Sequence, residues 1–362
     1  MKICYDYQIF FHQEFGGVSR YHIEIANLIK NKEGCLIKIP CLWSNNDYLR
    51  EHFDVYKLPA SRFTKNRITY FLGKMYSIIN LLKNDYDIIH PTWVDPYIYK
   101  YKNNAKIVIT IHDMIHELFW RGYADNEINR KKQAIYSADK IITISNNTKK
   151  DILRIYPDIP EEKIQVIYHG TSHLPKPNRP LSFTVPNRYI LFVGRRGDYK
   201  RGMYVVKALS DFLKNNKEIS ILFLGGGKFS YEELLILQKY GLTNSIIQKD
   251  VTDAELAYLY KHAICFVYPS LYEGFGLPIL EAFENDCPVV CSNNSSLPEV
   301  GGEAALYFDN ENSSELVNNI EKLCFSEDVR EDCIRKGKER VKMFTWEKCA
   351  EQTYRVYLEL IK

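Results

Sequence analysis

The sequence predicts an α/β protein built from two doubly wound parallel-sheet domains. Three observations carry this expectation. The chain has 362 residues, and at ~100–200 residues per domain that makes two domains, each large enough for its own core. Short apolar runs alternate with helical patterns along most of the chain, the rhythm of a βαβ series. The runs are near-continuous in Ile and Val, as strands buried on both faces of a parallel sheet must be.

The first domain is expected over residues 1–175, with strands at 3–7, 36–41, 87–90, 106–111, 140–144 and 164–168. The stretch 170–187 holds Pro175, Pro177, Pro180 and Pro186 with few apolar residues, so 176–187 reads as an interdomain linker. The second domain, 188–344, has candidate strands at 189–193, 219–224, 245–248, 264–268, 288–291 and 305–308. After Asn310 the pattern is helical to the end, with one break at Phe344 and Thr345. There Thr345, with Glu347 nearby, caps a last helix over 346–361, and 345–362 forms a separate C-terminal segment. Ligands of doubly wound sheets bind outside the carboxyl ends of the strands. The chemistry is therefore expected on loops that follow strands, in a cleft where the two domains face each other.

Composition excludes several classes. Hydrophobic residues make up 46% and charged residues 26%, ordinary for a globular protein. No apolar stretch reaches the ~18 residues that span a bilayer. The start, Met1-Lys2-Ile3-Cys4-Tyr5-Asp6, lacks the apolar core of a signal peptide, so a cytoplasmic location is expected. Nine dispersed cysteines, none in a CxxC pair, fit a reducing compartment better than a disulfide framework or a zinc site. They are expected to be small buried hydrophobes. A net charge of +3 gives no case for nucleic acid. The charge is uneven, however. Residues 57–83 carry six basic side chains (Lys57, Arg62, Lys65, Arg67, Lys74 and Lys83) and no acidic one, interleaved with Phe63, Tyr70, Phe71, Leu72, Met75 and Tyr76. Two readings stand side by side: a stretch that lies on an anionic membrane surface, or a helix with a core stripe and a solvated basic face.

Four motifs sit where the chemistry is expected. Glu273-Gly274-Phe275-Gly276-Leu277-Pro278-Ile279-Leu280-Glu281 follows a strand and opens a helix. Gly274 and Gly276 let backbone N–H groups approach a ligand, and the helix start favours an anion. Pro278 is tolerated in the first turn. Glu281, eight residues and about two turns beyond Glu273, can accept two hydroxyl hydrogen bonds, as a ribose diol requires. The second motif, Gly194-Arg195-Arg196-Gly197-Asp198-Tyr199-Lys200-Arg201, places four cations where they can neutralise a diphosphate. It is not a dinucleotide fingerprint, because GxGxxG is absent. Gly225-Gly226-Gly227 also follows a strand and reads as a tight turn. The third motif, Phe15-Gly16-Gly17-Val18-Ser19-Arg20-Tyr21, puts a glycine pair before a helix. The fourth, Thr110-Ile111-His112-Asp113, ends a strand in a polar pair.

Together these motifs resemble a known family. The chain is similar to retaining glycosyltransferases of the GT-B fold, family 4 (glycosyl transferases group 1), in their mannosyltransferase B-like branch. The resemblance runs nearly end to end. It rests on Gly16–Tyr21, on Ile111-His112-Asp113-Met114-Ile115, on Ile142-Thr143-Ile144-Ser145, and on Phe192-Val193-Gly194 with Lys200. Phe266 through Pro278 and Ser295-Ser296-Leu297-Pro298-Glu299-Val300 complete it. It implies two Rossmann-like domains facing a central cleft, with the C-terminal helix returning to the first domain. It implies that Glu273 contacts the donor sugar, that Glu281 holds the nucleotide ribose, and that Arg195 and Lys200 hold the diphosphate. Gly16 and Gly17 would cover the donor phosphates and the acceptor side, and His112 would stand beside the donor sugar. Gly194 and the backbone at Gly274, Phe275, Gly276 and Leu277 would complete the donor site. The family pattern has one cation before the lysine; here Arg195 and Arg196 both stand there, and Arg195 is the expected contact.

The implied reaction is transfer of a hexose with retention, by front-face displacement, with no metal or other cofactor. The expected donor is GDP-mannose and the expected acceptor a glycan or lipid-linked glycan of surface polysaccharide or lipopolysaccharide. UDP- or dTDP-sugars are the alternative donors, a nucleotide-sugar 2-epimerase is the alternative enzyme, and a non-catalytic sugar-binding protein is the third reading.

Overall fold

The computed structural model describes residues 1–56, 67–120, 122, 124–171, 174, 175, 181 and 183–362. Residues 57–66, which include Lys57, Arg62, Phe63 and Lys65 of the basic stretch, lie outside the described residues, as do residues 176–180 and 182 of the expected linker.

The described chain forms two units. The first takes in Met1–Gly170 and Thr345–Lys362, the second Thr171–Phe344. The first unit holds six parallel strands: β1 (Lys2–Tyr5), β2 (Leu36–Lys38), β3 (Ile88–His90), β4 (Lys106–Ile111), β5 (Lys140–Thr143) and β6 (Ile164–Val166). The second holds β7 (Arg188–Val193), β8 (Ile219–Leu224), β9 (Ile246–Lys249), β10 (Cys265–Tyr268), β11 (Val289–Ser292) and β12 (Ala305–Phe308). All twelve fall on the apolar runs. Four end earlier than the runs, β5 by one residue and β6 by two. β2, at the sheet edge, stops before Pro40, which has no N–H to give to a ladder. β1 stops at Tyr5 because the Asp6 carboxylate turns to accept the Thr92 N–H at 2.8 Å, and a helix begins at Gln8.

The strand orders are β2-β1-β3-β4-β5-β6 and β12-β11-β10-β7-β8-β9. Each is a doubly wound order with one reversal, between β1 and β3 in the first sheet and between β7 and β10 in the second. Crevices at the carboxyl ends of such strand pairs are where doubly wound sheets take ligands.

The helix Trp346–Ile361 belongs to the first unit, as expected. Thr345 caps it, its side chain accepting the Lys348 N–H at 3.2 Å. Its apolar face, with Trp346, Cys349, Ala350, Val356 and Tyr357, closes a core against Tyr21, Ile25, Ala26 and Ile29 of the helix Gly17–Ile29. The Tyr357 hydroxyl shares hydrogen bonds with Tyr5 at 2.8 Å and with His90 Nδ1 at 2.5 Å. All nine cysteines are unpaired and seven are buried. Among the described residues no helix is long and apolar enough to cross a membrane.

The helix Arg67–Lys83 departs from the expected basic face. Ser77, Ile78 and Leu81 are buried against the first unit. Ile68, Phe71, Leu72, Met75, Ile79 and Leu82 form an exposed stripe at helical spacing, with Phe71 and Leu82 each 58% exposed. The Lys74 ammonium is tied to Asp95 at 3.0 Å, and the Tyr70 hydroxyl donates to the same carboxylate at 2.8 Å. The outer face is therefore apolar.

Candidate functional site

In the second unit, two loops leave the neighbouring strands β7 and β10 at the reversal of strand order. The first turns at once: Gly194 has φ +112°, where an L side chain is strained. A short 3₁₀ turn, Asp198–Lys200, follows. The second loop runs from Pro269 to Gly276. The backbone joins the two, with Leu271 N–H donating to Tyr199 O at 2.7 Å. Across this join the Lys200 ammonium meets Glu273 Oε1 at 2.5 Å and the Tyr268 hydroxyl at 3.4 Å. Glu273 is buried. An anion and a cation from different strand ends thus stand in one ion pair at the carboxyl ends of β7 and β10.

The four cations of the first loop have separate fates. Arg196 is buried. Its guanidinium pairs with Glu233 at 2.8 and 3.1 Å and donates to the carbonyls of Gly225, Gly227 and Lys228 at 3.0 to 3.1 Å. It also lies over the Phe229 ring, 4.7 Å from the centroid. Arg201 donates to Asn310 O at 3.3 Å and lies over Tyr204. Four free cations for one diphosphate, as the motif suggested, is therefore too many. Arg195 is exposed and holds no ion pair among the described residues, and Lys200 is held by Glu273 and the Tyr268 hydroxyl.

The second loop is pinned from behind. Glu273 N–H donates to Ser295 Oγ at 2.8 Å. Ser296 Oγ lies 2.8 Å from Glu273 O and 2.7 Å from Phe275 O. These serines follow β11, and sequence reasoning gave them no role beyond membership of a motif. Gly276, at φ +117°, starts the helix Leu277–Glu284, and a Cβ there would stand 3.2 Å from Leu297. Glu281 is half-buried on that helix, beside the buried Tyr260 hydroxyl. The structure thus brings Gly194, Arg195, Lys200, Glu273, Gly274, Phe275, Gly276, Leu277 and Glu281 onto two joined loops and one helix.

Gly16, Gly17 and His112 are in the first unit. Gly16 is extended backbone that caps the helix Gly17–Ile29. Its carbonyl accepts from Ser19 Oγ at 3.0 Å. His112 follows β4. Both ring nitrogens are shut from solvent and have no hydrogen-bond partner among the described residues. The ring is one of four buried imidazoles. His112 lies 5.5 Å from His169 and 6.0 Å from His22, and His22 lies 5.2 Å from His90. Tyr21, from the helix that Gly16 caps, stacks on His169 at 4.8 Å and meets His112 edge-on at 5.2 Å. Burial drives every one of these imidazoles toward neutrality. His90 falls to about 3 and His112 to about 4, and His22 and His169 lie well below the ordinary value.

Comparison with known proteins places these loops in a wider set. Residues 178–340 match the family model for glycosyl transferases group 1, and residues 15–173 match that for glycosyltransferase family 4. The O-antigen chain mannosyltransferase B of Escherichia coli is 32% identical over 237 residues, 62% of each chain. The aligned part thus spans about three fifths of that relative's length. Among solved structures, the sucrose-phosphate synthase of Thermosynechococcus elongatus matches with a TM-score of 0.76 and 20% identity over 99% of both chains. An Anabaena protein solved with UDP and glucose matches with a TM-score of 0.71 and 17% identity, covering 98% of this chain and 99% of its own. These two likenesses show the fold, GT-B.

Proposed function

The chain belongs to the glycosyltransferases of group 1 and family 4, and from that membership we propose that it moves a hexose from a nucleotide sugar to a glycan or lipid-linked acceptor. The observation that carries the proposal is the Lys200–Glu273 pair at the β7–β10 reversal, with the exposed Arg195 on the same loop. Breaking the donor bond builds negative charge on the departing diphosphate. Arg195, Lys200 and the start of the helix Leu277–Glu284 would stabilise that charge. Lys200 would exchange Glu273 for the diphosphate, and Glu273 would turn to the donor sugar. Glu281 would hold the ribose. The transfer would retain the anomeric configuration by front-face displacement and need no metal.

The preferred donor is GDP-mannose, on the strength of the mannosyltransferase branch and its 32% identical relative. The corresponding setting is surface polysaccharide synthesis at the cytoplasmic face of a membrane. There the apolar outer stripe of the helix Arg67–Lys83 would rest among anionic lipids, with the basic stretch 57–83 at their headgroups.

The test is a panel of GDP-, UDP- and dTDP-sugars, scored by thermal shift and by slow release of free nucleotide. GDP-mannose alone is expected to stabilise the protein and to be hydrolysed slowly. A response confined to a UDP- or dTDP-sugar would move the donor assignment. A new sugar nucleotide formed without acceptor would replace the transferase with an epimerase. Glu281→Ala is expected to weaken donor binding by about tenfold or more at an unchanged melting temperature; unchanged affinity would remove Glu281 from the ribose role.

A further inference from the structure

Ser295 has φ +50°, a left-handed conformation that a residue with a side chain adopts at a cost. It is the first of the two central residues in the turn from Asn294 to Leu297, which the Leu297 N–H closes on Asn294 O at 3.2 Å. Glycine would take that place without strain. A strained residue persists where its surroundings fix it, and such residues gather at functional sites.

The hydroxyl that this turn delivers has one target. Ser295 Oγ accepts the Glu273 N–H at 2.8 Å and donates to the Glu273 carbonyl at 3.1 Å. Both backbone polar groups of a residue 22 positions away thus end on one oxygen. The buried Ser296 Oγ adds a second contact to the same carbonyl, at 2.8 Å.

The residue so held is the one whose side chain has to change partner. Glu273 pairs with Lys200 at 2.5 Å, and in the proposed transfer it exchanges that ammonium for the donor sugar. A carboxylate that swings by side-chain rotation reaches the same point each time when its own backbone stays fixed. The chain itself gives little stiffness here, because Gly274 follows and glycine rotates most freely. The constraint has to come from outside the loop, and Ser295 supplies it.

We propose that Ser295 is a positioning residue for the transferase: its hydroxyl fixes the Glu273 backbone so that the carboxylate meets the hexose of the donor. This rests on the glycosyltransferase reading and deepens it, assigning Ser295 to recognition of the sugar and not of the nucleotide.

The experiment is titration calorimetry on the full chain with GDP-mannose and GDP, and with UDP-glucose and UDP in parallel. Comparing a sugar nucleotide with its bare diphosphate isolates the contact with the hexose. Ser295→Ala keeps the strain and loses the hydroxyl. Ser295→Gly loses both, and should melt at a higher temperature than Ser295→Ala. Both variants are expected to bind the sugar nucleotide about tenfold more weakly than the parent, with the bare diphosphate within about twofold. Slow nucleotide release from the sugar nucleotide should fall by a similar factor in both. Three results would overturn the assignment: undiminished sugar-nucleotide affinity in Ser295→Ala, recovery of that affinity in the more stable Ser295→Gly, or equal weakening of the sugar nucleotide and the bare diphosphate. A parent protein that binds neither sugar nucleotide would overturn the transferase reading, and the assignment with it.

Discussion

At the scale of single residues, two adjacent arginines divide the labour of the β7 loop. Arg196 holds a pocket of carbonyls made by Gly225, Gly226 and Gly227, whose φ values of +76°, +73° and +70° bring their oxygens round one guanidinium. The three glycines read correctly as a tight turn. What that turn surrounds could not be read, because the partner is thirty residues away. Nor does the motif Arg195-Arg196 say which side chain points inward. Arg196→Ala would leave Glu233 without its buried cation, and an expected ~3–5 kcal/mol of second-unit stability would be lost in a urea titration. Arg195→Ala, at an exposed side chain, should stay within about 0.5 kcal/mol of the parent while nucleotide affinity falls. If the two variants exchange these behaviours, the division of roles is wrong. Ser295 and Ser296 make the same point about legibility. Their sequence marks a turn, but only the fold reveals that it fastens the glutamate loop.

Secondary-structure elements were easier to foresee than their faces. Buried parallel strands must be apolar throughout, so all twelve stood out in the sequence, and the early ends of β2 and β1 trace to Pro40 and to the side chain of Asp6. The helix Arg67–Lys83 is a harder case. Both its faces are apolar, so periodicity cannot say which one the core covers, and Lys74, which looked solvated, is held by Asp95. Replacing Phe71 and Leu82 together with Glu should abolish co-sedimentation with anionic liposomes at low salt and leave urea unfolding unchanged within about 1 kcal/mol. Persistent binding would remove this helix from the membrane role. The helix Trp346–Ile361 carries a different consequence, since it packs on the cluster of four imidazoles, meeting His90 through Tyr357 and His169 through Trp346. Their folded pKa values lie below the unfolded value of about 6.5, so below that pH the unfolded chain binds more protons than the folded one. The stability they lend is fully present above pH 6.5 and lost as pH falls toward about 4 and about 3, the values of His112 and His90. Each of these two contributes a loss of about 2 kcal/mol between pH 7 and pH 5. The second unit's sequence holds only His173 and His262, so acid should lower the first unit's unfolding transition well before the second's. Parallel decline of both would contradict this.

For the molecule as a whole, the sequence exposed the architecture and the candidate-site loops because both depend on local pattern: strand periodicity for the first, glycines and charges after strands for the second. The histidine cluster was hidden. It gathers His22, His90, His112 and His169 from separate parts of the chain, and no spacing rule connects them. The chain leaves the first unit after Gly170 and re-enters at Thr345, and Thr171 N–H bonds to Phe344 O at 3.1 Å where the two crossings lie side by side. In topological terms the second unit is an insertion within the first. A ribosome delivering this chain from its N-terminus can finish folding the inserted unit as a continuous segment. The first unit must wait, its histidine-lined core uncovered, until the turns bearing Trp346 and Tyr357 leave the exit tunnel. The earliest-made part of the protein is thus the last to close.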